Sequence, residues 1–198
     1  KILGVTIDTC LSWGTHVTNV VKRCNRILIS LYKFRHYFSS DVLKIIIQAY
    51  VFPHITYCLS VWGGATKSQL HKIQKVINFS VRIVTGIKKH QHISAALNSL
   101  NWPRIEALVE LRDLIKVYKT TMCDDAPATI RDLFTRRSEV SSRQTRSSHR
   151  GDLHVARHHL SSSQRVFSRR AAVAWSALPP TVRNQPTVNA FITALQGL

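Results

Sequence analysis

From Ser12 onward the apolar residues of this chain recur with helical spacing. Val17, Val20, Val21, Cys24, Ile27, Leu28, Leu31 and Phe38 fall along one face, while Lys22, Arg23, Arg26, Lys33 and Arg35 fall largely elsewhere. A stripe of that length commits the chain to a long amphipathic helix that must find an apolar partner, and Ser12 is suited to cap it. Before it the period is two: Leu3, Val5 and Ile7 alternate with Gly4 and Thr6 up to Asp8, the pattern of one short strand.

The helical period governs most of the remaining chain. Ser40 and Asp41 open a second helix, apolar nearly all round through Leu43, Ile46, Tyr50, Val51, Ile55, Leu59 and Trp62. Pro53 should kink or divide it, because its ring clashes with the preceding turn, and Gly63-Gly64 should end it. Thr66 can cap a third helix whose Leu70, Ile73, Val76, Ile77, Ile83 and Val84 face inward, with Gly86 as its stop. After a short helical piece at 94–100, Pro103 precedes a fourth long helix carrying Ile105, Leu108, Val109, Leu111, Ile115 and Tyr118. Asp124-Asp125-Ala126-Pro127 breaks it, and a short helix through Ile130, Leu133 and Phe134 comes next.

Between Thr135 and Ser148 the residues are mostly Ser, Arg and Thr, with Val140 the one large aliphatic, so this stretch is expected to be an exposed linker. Beyond it, Phe167, Ala171, Ala174 and Trp175 predict a helix closed by Pro179-Pro180. Val188, Phe191, Ile192 and Leu195 predict another. The fold expected is mainly α: a helical bundle preceded by one short β-strand and followed by a small C-terminal helical appendage. The corresponding bounds are 1–10, 11–134, 135–152 for the linker and 153–198.

Charge narrows the partners. Lys and Arg number 28 against 10 Asp and Glu, a formal charge of +18, which calls for an anionic partner. All Lys lie between Lys1 and Lys119, and every basic residue from Arg131 onward is Arg, which marks two regions of different character. Cys10, Cys24, Cys58 and Cys123 form no Cys-x-x-Cys pair and have no His at ligand spacing, so a reduced, intracellular setting fits best, cytoplasmic or nuclear. The first residues do not have the form of a secretory signal.

Several motifs are better explained without chemistry. Ile45 to Gly63 contains no charged residue and is long enough to cross a bilayer, but Gln48, Pro53, His54, Thr56 and Ser60 interrupt it, and a buried helix pair gives the same string. Met122-Cys123-Asp124-Asp125 has the shape of a polymerase motif in which paired aspartates hold Mg²⁺. It follows a helix and precedes Pro127, however, where a strand–turn–strand is needed. Glu106 and Glu110, with Asp113 nearby, are taken as an exposed helix face solvated by Arg104 and Arg112. His90-Gln91-His92 and His158-His159 lie in polar stretches without acidic or Cys companions, and Arg150-Gly151-Asp152 is a chance match to an adhesion tripeptide. No catalytic residue and no metal site is assigned.

The positive signal is basic charge interleaved with aromatics: Arg23, Arg26, Lys33 and Arg35 beside Tyr32, Phe34 and Tyr37, then Lys72, Lys75, Arg82, Lys88 and Lys89. Phosphate neutralisation is its natural use.

Three blocks, in order, resemble a known family. The first is Leu3-Gly4-Val5-Thr6-Ile7-Asp8 with Leu11-Ser12-Trp13 and His16, and the second is Tyr50, Pro53, Tyr57 and Val61-Trp62-Gly63. The third is Phe167-Ser168, Ala171, Trp175-Ser176-Ala177-Leu178-Pro179-Pro180, Val182-Arg183 and Phe191. Together they resemble the region of non-LTR retrotransposon reverse transcriptases, of the jockey and CR1 kind, that runs from the last palm strand through the thumb into the C-terminal tail. The chain departs from its relatives at Ile2, where they usually have an aromatic, and at Ser176, where they often have Asn.

The resemblance implies that Leu3, Gly4 and Val5 belong to a primer-grip-like strand, with Gly4 allowing close backbone approach to nucleic acid. It implies that the helices after it form a thumb holding the RNA template–cDNA primer duplex by its phosphates, without reading sequence. Lys22, Arg23 and Arg26 are the first candidates for that contact, and Lys72 and Lys75 the second. RNA and RNA–DNA duplex are the partners implied, with target DNA a further one for the Arg-rich tail. Trp175, Leu178 and Phe191 are expected in a small core. The palm with its Mg²⁺-binding aspartates would precede Lys1, so this piece is expected to hold no cofactor and not to polymerise DNA by itself. A stand-alone basic helical nucleic-acid-binding module is the competing reading.

Overall fold

The structure is a computed structural model, and it describes residues 1–122, 126–140, 151–155 and 161–197. The chain is mainly helical, as the periodicity requires. It divides into two compact units, Lys1–Leu108 and Val109–Leu198.

In the first unit the expected strand is replaced by a tight turn. Ile2 and Val5 exchange both backbone hydrogen bonds, at 2.9 and 2.8 Å, across Leu3 and Gly4. Both central residues have positive φ, 45° and 84°, the signature of a type I′ turn. Among the described residues no neighbouring strand is offered to 2–7, so its backbone polar groups pair locally. Tyr57 pins the turn by donating its hydroxyl to the Leu3 carbonyl at 2.7 Å.

Helix α1, Gly14–Phe34, starts two residues later than Ser12. Its N-cap is Trp13, held at φ 63°, and the Ser12 hydroxyl accepts only a long 3.4 Å bond from the Gly14 N–H. Ser12 is itself gripped by Asp8, whose carboxylate accepts from the Ser12 amide at 2.6 Å and from its hydroxyl at 2.7 Å. The buried stripe of α1 is Val17, Val20, Cys24, Leu28 and Leu31, whereas Phe38 lies beyond the helix and is exposed.

Pro53 divides the second helical stretch. Helix α2 runs Ser40–Tyr50 with Ser39 as its cap, and α3 runs Phe52–Thr56. Cys58 at φ 50° breaks the chain again before α4, Leu59–Trp62. Leu43, Ile47, Val51, Ile55, Leu59 and Trp62 point into one core, and the Trp62 indole donates to the Tyr57 carbonyl at 2.8 Å. Among the described residues no helix is long and apolar enough to cross a membrane.

Helix α5, Lys67–Thr85, ends on Gly86 at φ 72°, a left-handed cap that glycine adopts without strain. It packs along α1 and also against α2, burying Leu70, Ile73, Val76, Ile77, Val81, Ile83 and Val84. Helix α6, Ser94–Leu100, leads through Trp102 into α7, Ile105–Met122, whose first amide donates to the buried Gln74 side chain at 2.8 Å. That bond satisfies one of the four amides a helix start leaves open.

The second unit is built on the rest of α7, with α8 (Ala128–Arg131), α9 (Arg137–Val140), α10 (Ser161–Gln164), α11 (Phe167–Ala177), α12 (Pro180–Arg183) and α13 (Val188–Gln196). Trp175, Leu178 and Phe191 join Leu114, Val117, Tyr118, Phe134 and Leu153 in its core, the role expected of them. Phe191 is fully buried, stacked on Tyr118 with ring centroids 4.4 Å apart.

Two features of this unit escaped the sequence. Asp113, expected on an exposed acidic face with Glu106 and Glu110, is completely buried, and Arg170 binds both its carboxylate oxygens. The proposed linker 135–152 is pinned at its described ends: Arg137 N–H donates to Asp152 O and His154 N–H to Thr135 O, each at 2.9 Å. The Asp152 carboxylate accepts from the buried Arg183 guanidinium at 2.9 Å, so the adhesion-like tripeptide has a structural use for its acid. Asp124-Asp125, His158-His159 and residues 141–150 lie outside the described residues.

Candidate nucleic-acid interface

The electrostatics of the first unit stem from what its sequence omits. No Asp or Glu lies between Asp41 and Glu106, and α1 carries none at all. The cations on α1 and α5 therefore have no acidic neighbour on their own helix to neutralise them.

Packing then gathers some of them. Val17, Val20 and Cys24 sit on the buried side of α1, so Lys22 is left on the outside, at the edge facing α5. On α5, Lys72 and Lys75 are one turn apart and flank the buried Ile73 and Val76. The two edges form a groove of about 420 Å³ lined by Thr18, Lys22, Asn25, Lys72 and Lys75. Three of the five candidate cations thus share one groove, and its other polar side chains are neutral.

The remaining two lie elsewhere. Arg23 is a residue out of phase with Lys22, and its charge adds to burial in holding His54 of α3 below the ordinary imidazole range. Arg26 stands at the rim of a separate apolar groove of about 670 Å³ with Ile27, Leu31, Phe34 and Phe38. Leu3, Gly4 and Val5 form the turn described above: Leu3 is exposed, Val5 is buried, and a Cβ on Gly4 would stand 3.7 Å from the Tyr57 ring.

Lys75 belongs to a second groove as well. This one, about 900 Å³, is bordered by Arg35, Lys75, Arg82, Lys88 and Lys89, with Tyr32 and Phe79 among its walls. Lys75 lines both grooves, so the two adjoin as a cationic track beside α1 and α5. The second groove goes past the five candidates to other members of the basic and aromatic series read from the sequence, bringing Arg35 together with Lys88 and Lys89 although they are far apart in the chain.

Among the described residues no three His, Cys, Asp or Glu side chains converge where a metal ion could be held. His90 and His92 are exposed, and the Gln91 between them is engaged in the loop that Arg82 holds.

A helical unit with an acid-free cationic track is compatible with the polymerase resemblance, and comparison with known proteins bears on it directly. Part of the chain is similar to a transposon-encoded RNA-directed DNA polymerase. It is 28% identical over 109 residues to a probable RNA-directed DNA polymerase from transposon BS of Drosophila melanogaster. The match covers 54% of this chain and 12% of that protein, so the chain corresponds to a small part of its relative. No family model matches, and no solved structure matches significantly.

Proposed function

We propose that this region is the thumb of a retrotransposon reverse transcriptase of the jockey and CR1 kind, and that it grips the RNA template–cDNA primer duplex by its phosphates. The observation that carries the reading is the groove between α1 and α5, where Lys22, Lys72 and Lys75 stand together without an acidic residue among them. Phosphate contacts position a duplex without reading its bases, so a rigid pair of helices with exposed ammonium groups suits the task. Lys is an adequate point-charge donor for such sequence-independent contact. The three-residue spacing of Lys72 and Lys75 sets them about one helical turn apart on α5, with Lys22 of α1 on the facing edge, which lets neighbouring phosphates be neutralised in series. Arg23 and Arg26, outside the groove, act as more distant contributors to the field.

The test is the salt dependence of binding to a short RNA–DNA hybrid. Neutralising three phosphates corresponds to a slope of about −2.7 in log affinity against log salt, a loss of roughly fortyfold on a fourfold rise in salt. Replacing Lys22, Lys72 and Lys75 together by Ala is expected to remove most of that slope, each Lys contributing about one unit. A hybrid that binds with the same slope to the triple variant would refute the assignment of the groove.

A further inference from the structure

The two halves of the cationic track differ in one chemical respect. The groove of Lys22 and Lys72 has no aromatic side chain in its lining, whereas the larger one contains Tyr32 and Phe79. Tyr32 is 45% exposed, its ring centroid lies 6.0 Å from that of Phe79, and the Arg35 guanidinium sits 4.1 Å over it. Three planar groups are thus assembled at the wall of a cationic groove, two of them from α1 and the residue after it, and one from α5.

The loop that contributes the other cations is also built in advance. Gly86 turns the chain out of α5, and Arg82 then draws the next loop back. Its guanidinium donates to the carbonyls of Lys89 at 2.9 Å and Gln91 at 3.3 Å, with a longer 3.5 Å contact to Lys88. The Gln91 side chain closes the loop by accepting from the Lys88 amide at 3.0 Å. Arg82 is therefore committed to the loop, and the loop brings exposed Lys88 and Lys89 into the same groove as Tyr32 and Arg35. Little ordering remains to be done when an anion binds there.

Planar side chains and cations in one groove recognise a particular state of nucleic acid. A duplex presents phosphates but hides its base faces in the stack, so the cations alone would serve it. Unpaired bases offer those faces, and they stack on aromatic rings and on arginine planes while their backbone follows a basic groove. We infer that the groove bounded by Tyr32, Arg35, Phe79, Lys88 and Lys89 holds an unpaired single-stranded segment of nucleic acid continuous with the duplex in the adjoining groove. The inference rests on the proposed duplex grip for its choice of nucleic acid, and it adds a site with a different ligand state and a different chemistry.

The experiment compares three probes on the full chain by fluorescence anisotropy: a blunt RNA–DNA hybrid, the same hybrid with an oligoadenylate overhang, and the oligoadenylate alone. The overhang is expected to raise affinity about tenfold over the blunt hybrid, the effect of one or two stacked bases. Tyr32→Ala should abolish that gain while leaving blunt-hybrid affinity unchanged, and Tyr32→Trp should retain it. Arg35→Lys keeps the charge but loses the plane, so it too should lose the gain; a site that uses Arg35 only as a cation would not notice the change.

Tyr32 and Arg35 are surface residues, and circular dichroism of each variant checks that the fold is kept. Blunt hybrid bound with no gain from any overhang overturns this inference and leaves the duplex grip standing. Overhang gain that survives Tyr32→Ala and Arg35→Lys overturns it equally. Oligoadenylate bound in a Tyr32-dependent way with no affinity for blunt hybrid upholds the site and refutes the duplex grip. No binding of any probe refutes both.

Discussion

Arg170→Met should damage the second unit more than Asp113→Asn does, although both break the same contact. Asp113 is fully buried, and Arg170 binds it through Nε and through Nη2, the latter at 3.1 Å. Removing the guanidinium takes away the cation bound to both oxygens of a carboxylate that water does not reach, and losses of this kind run to about 3–5 kcal/mol. Asp113→Asn keeps the shape and one acceptor oxygen. The Arg170 side chain is 18% exposed and also donates to the Arg165 carbonyl at 2.8 Å, so its charge is partly served without Asp113. That places Asp113→Asn nearer about 1–3 kcal/mol.

The double variant Asp113→Leu/Arg170→Met removes both charges, and it should cost less than Arg170→Met alone because no ion is left buried. Native-state hydrogen exchange at the amides of Phe167–Ala177 reads these values locally, which matters because a global melt would mix the two units. An Arg170→Met cost below about 1 kcal/mol, or a double variant that costs as much as Arg170→Met alone, would refute the reasoning.

Other consequences can be checked more briefly. Burial pushes the Cys24 thiol up to about 11, so iodoacetamide at mildly alkaline pH should label exposed Cys10 well before Cys24, as peptide mapping would show. Burial holds His16 below the ordinary imidazole range, and its Nδ1 accepts from the Thr6 amide at 3.4 Å. The unfolded chain therefore takes up the proton first, and stability of the first unit should fall as pH drops below about 6.5, with a shallower fall in His16→Asn measured by urea midpoints. Gly86→Ala meets open space but must hold φ 72°, so it should cost about 1 kcal/mol from the backbone alone, with Asn at that position costing less.

The helical plan was legible because each long helix here buries one stripe. The Val17-to-Leu31 and Leu70-to-Val84 stripes name the facing sides of α1 and α5 before any contact is seen. Pro53 and Gly86 were equally readable, since their effects act through their own backbone. The strand at 2–7 misled because alternation records which side chains share a face and says nothing about whether another strand is present to pair with. Asp113 misled because an acid on a helix looks solvated until its partner is known, and that partner is 57 residues away.

The candidate interface divides along the same line. Sequence alone determined the charge, the absence of acids from Asp41 to Glu106 and the positions of the cations around each helix, since these are properties of composition and of a fixed 3.6-residue period. Only the tertiary structure decided that Lys22 would join Lys72 and Lys75 while Arg23 and Arg26 would not, and that Tyr32, Arg35 and Phe79 would share a groove with Lys88 and Lys89. Which cations share a groove depends on the rotation of α1 against α5, and that rotation is set by how two apolar stripes interlock.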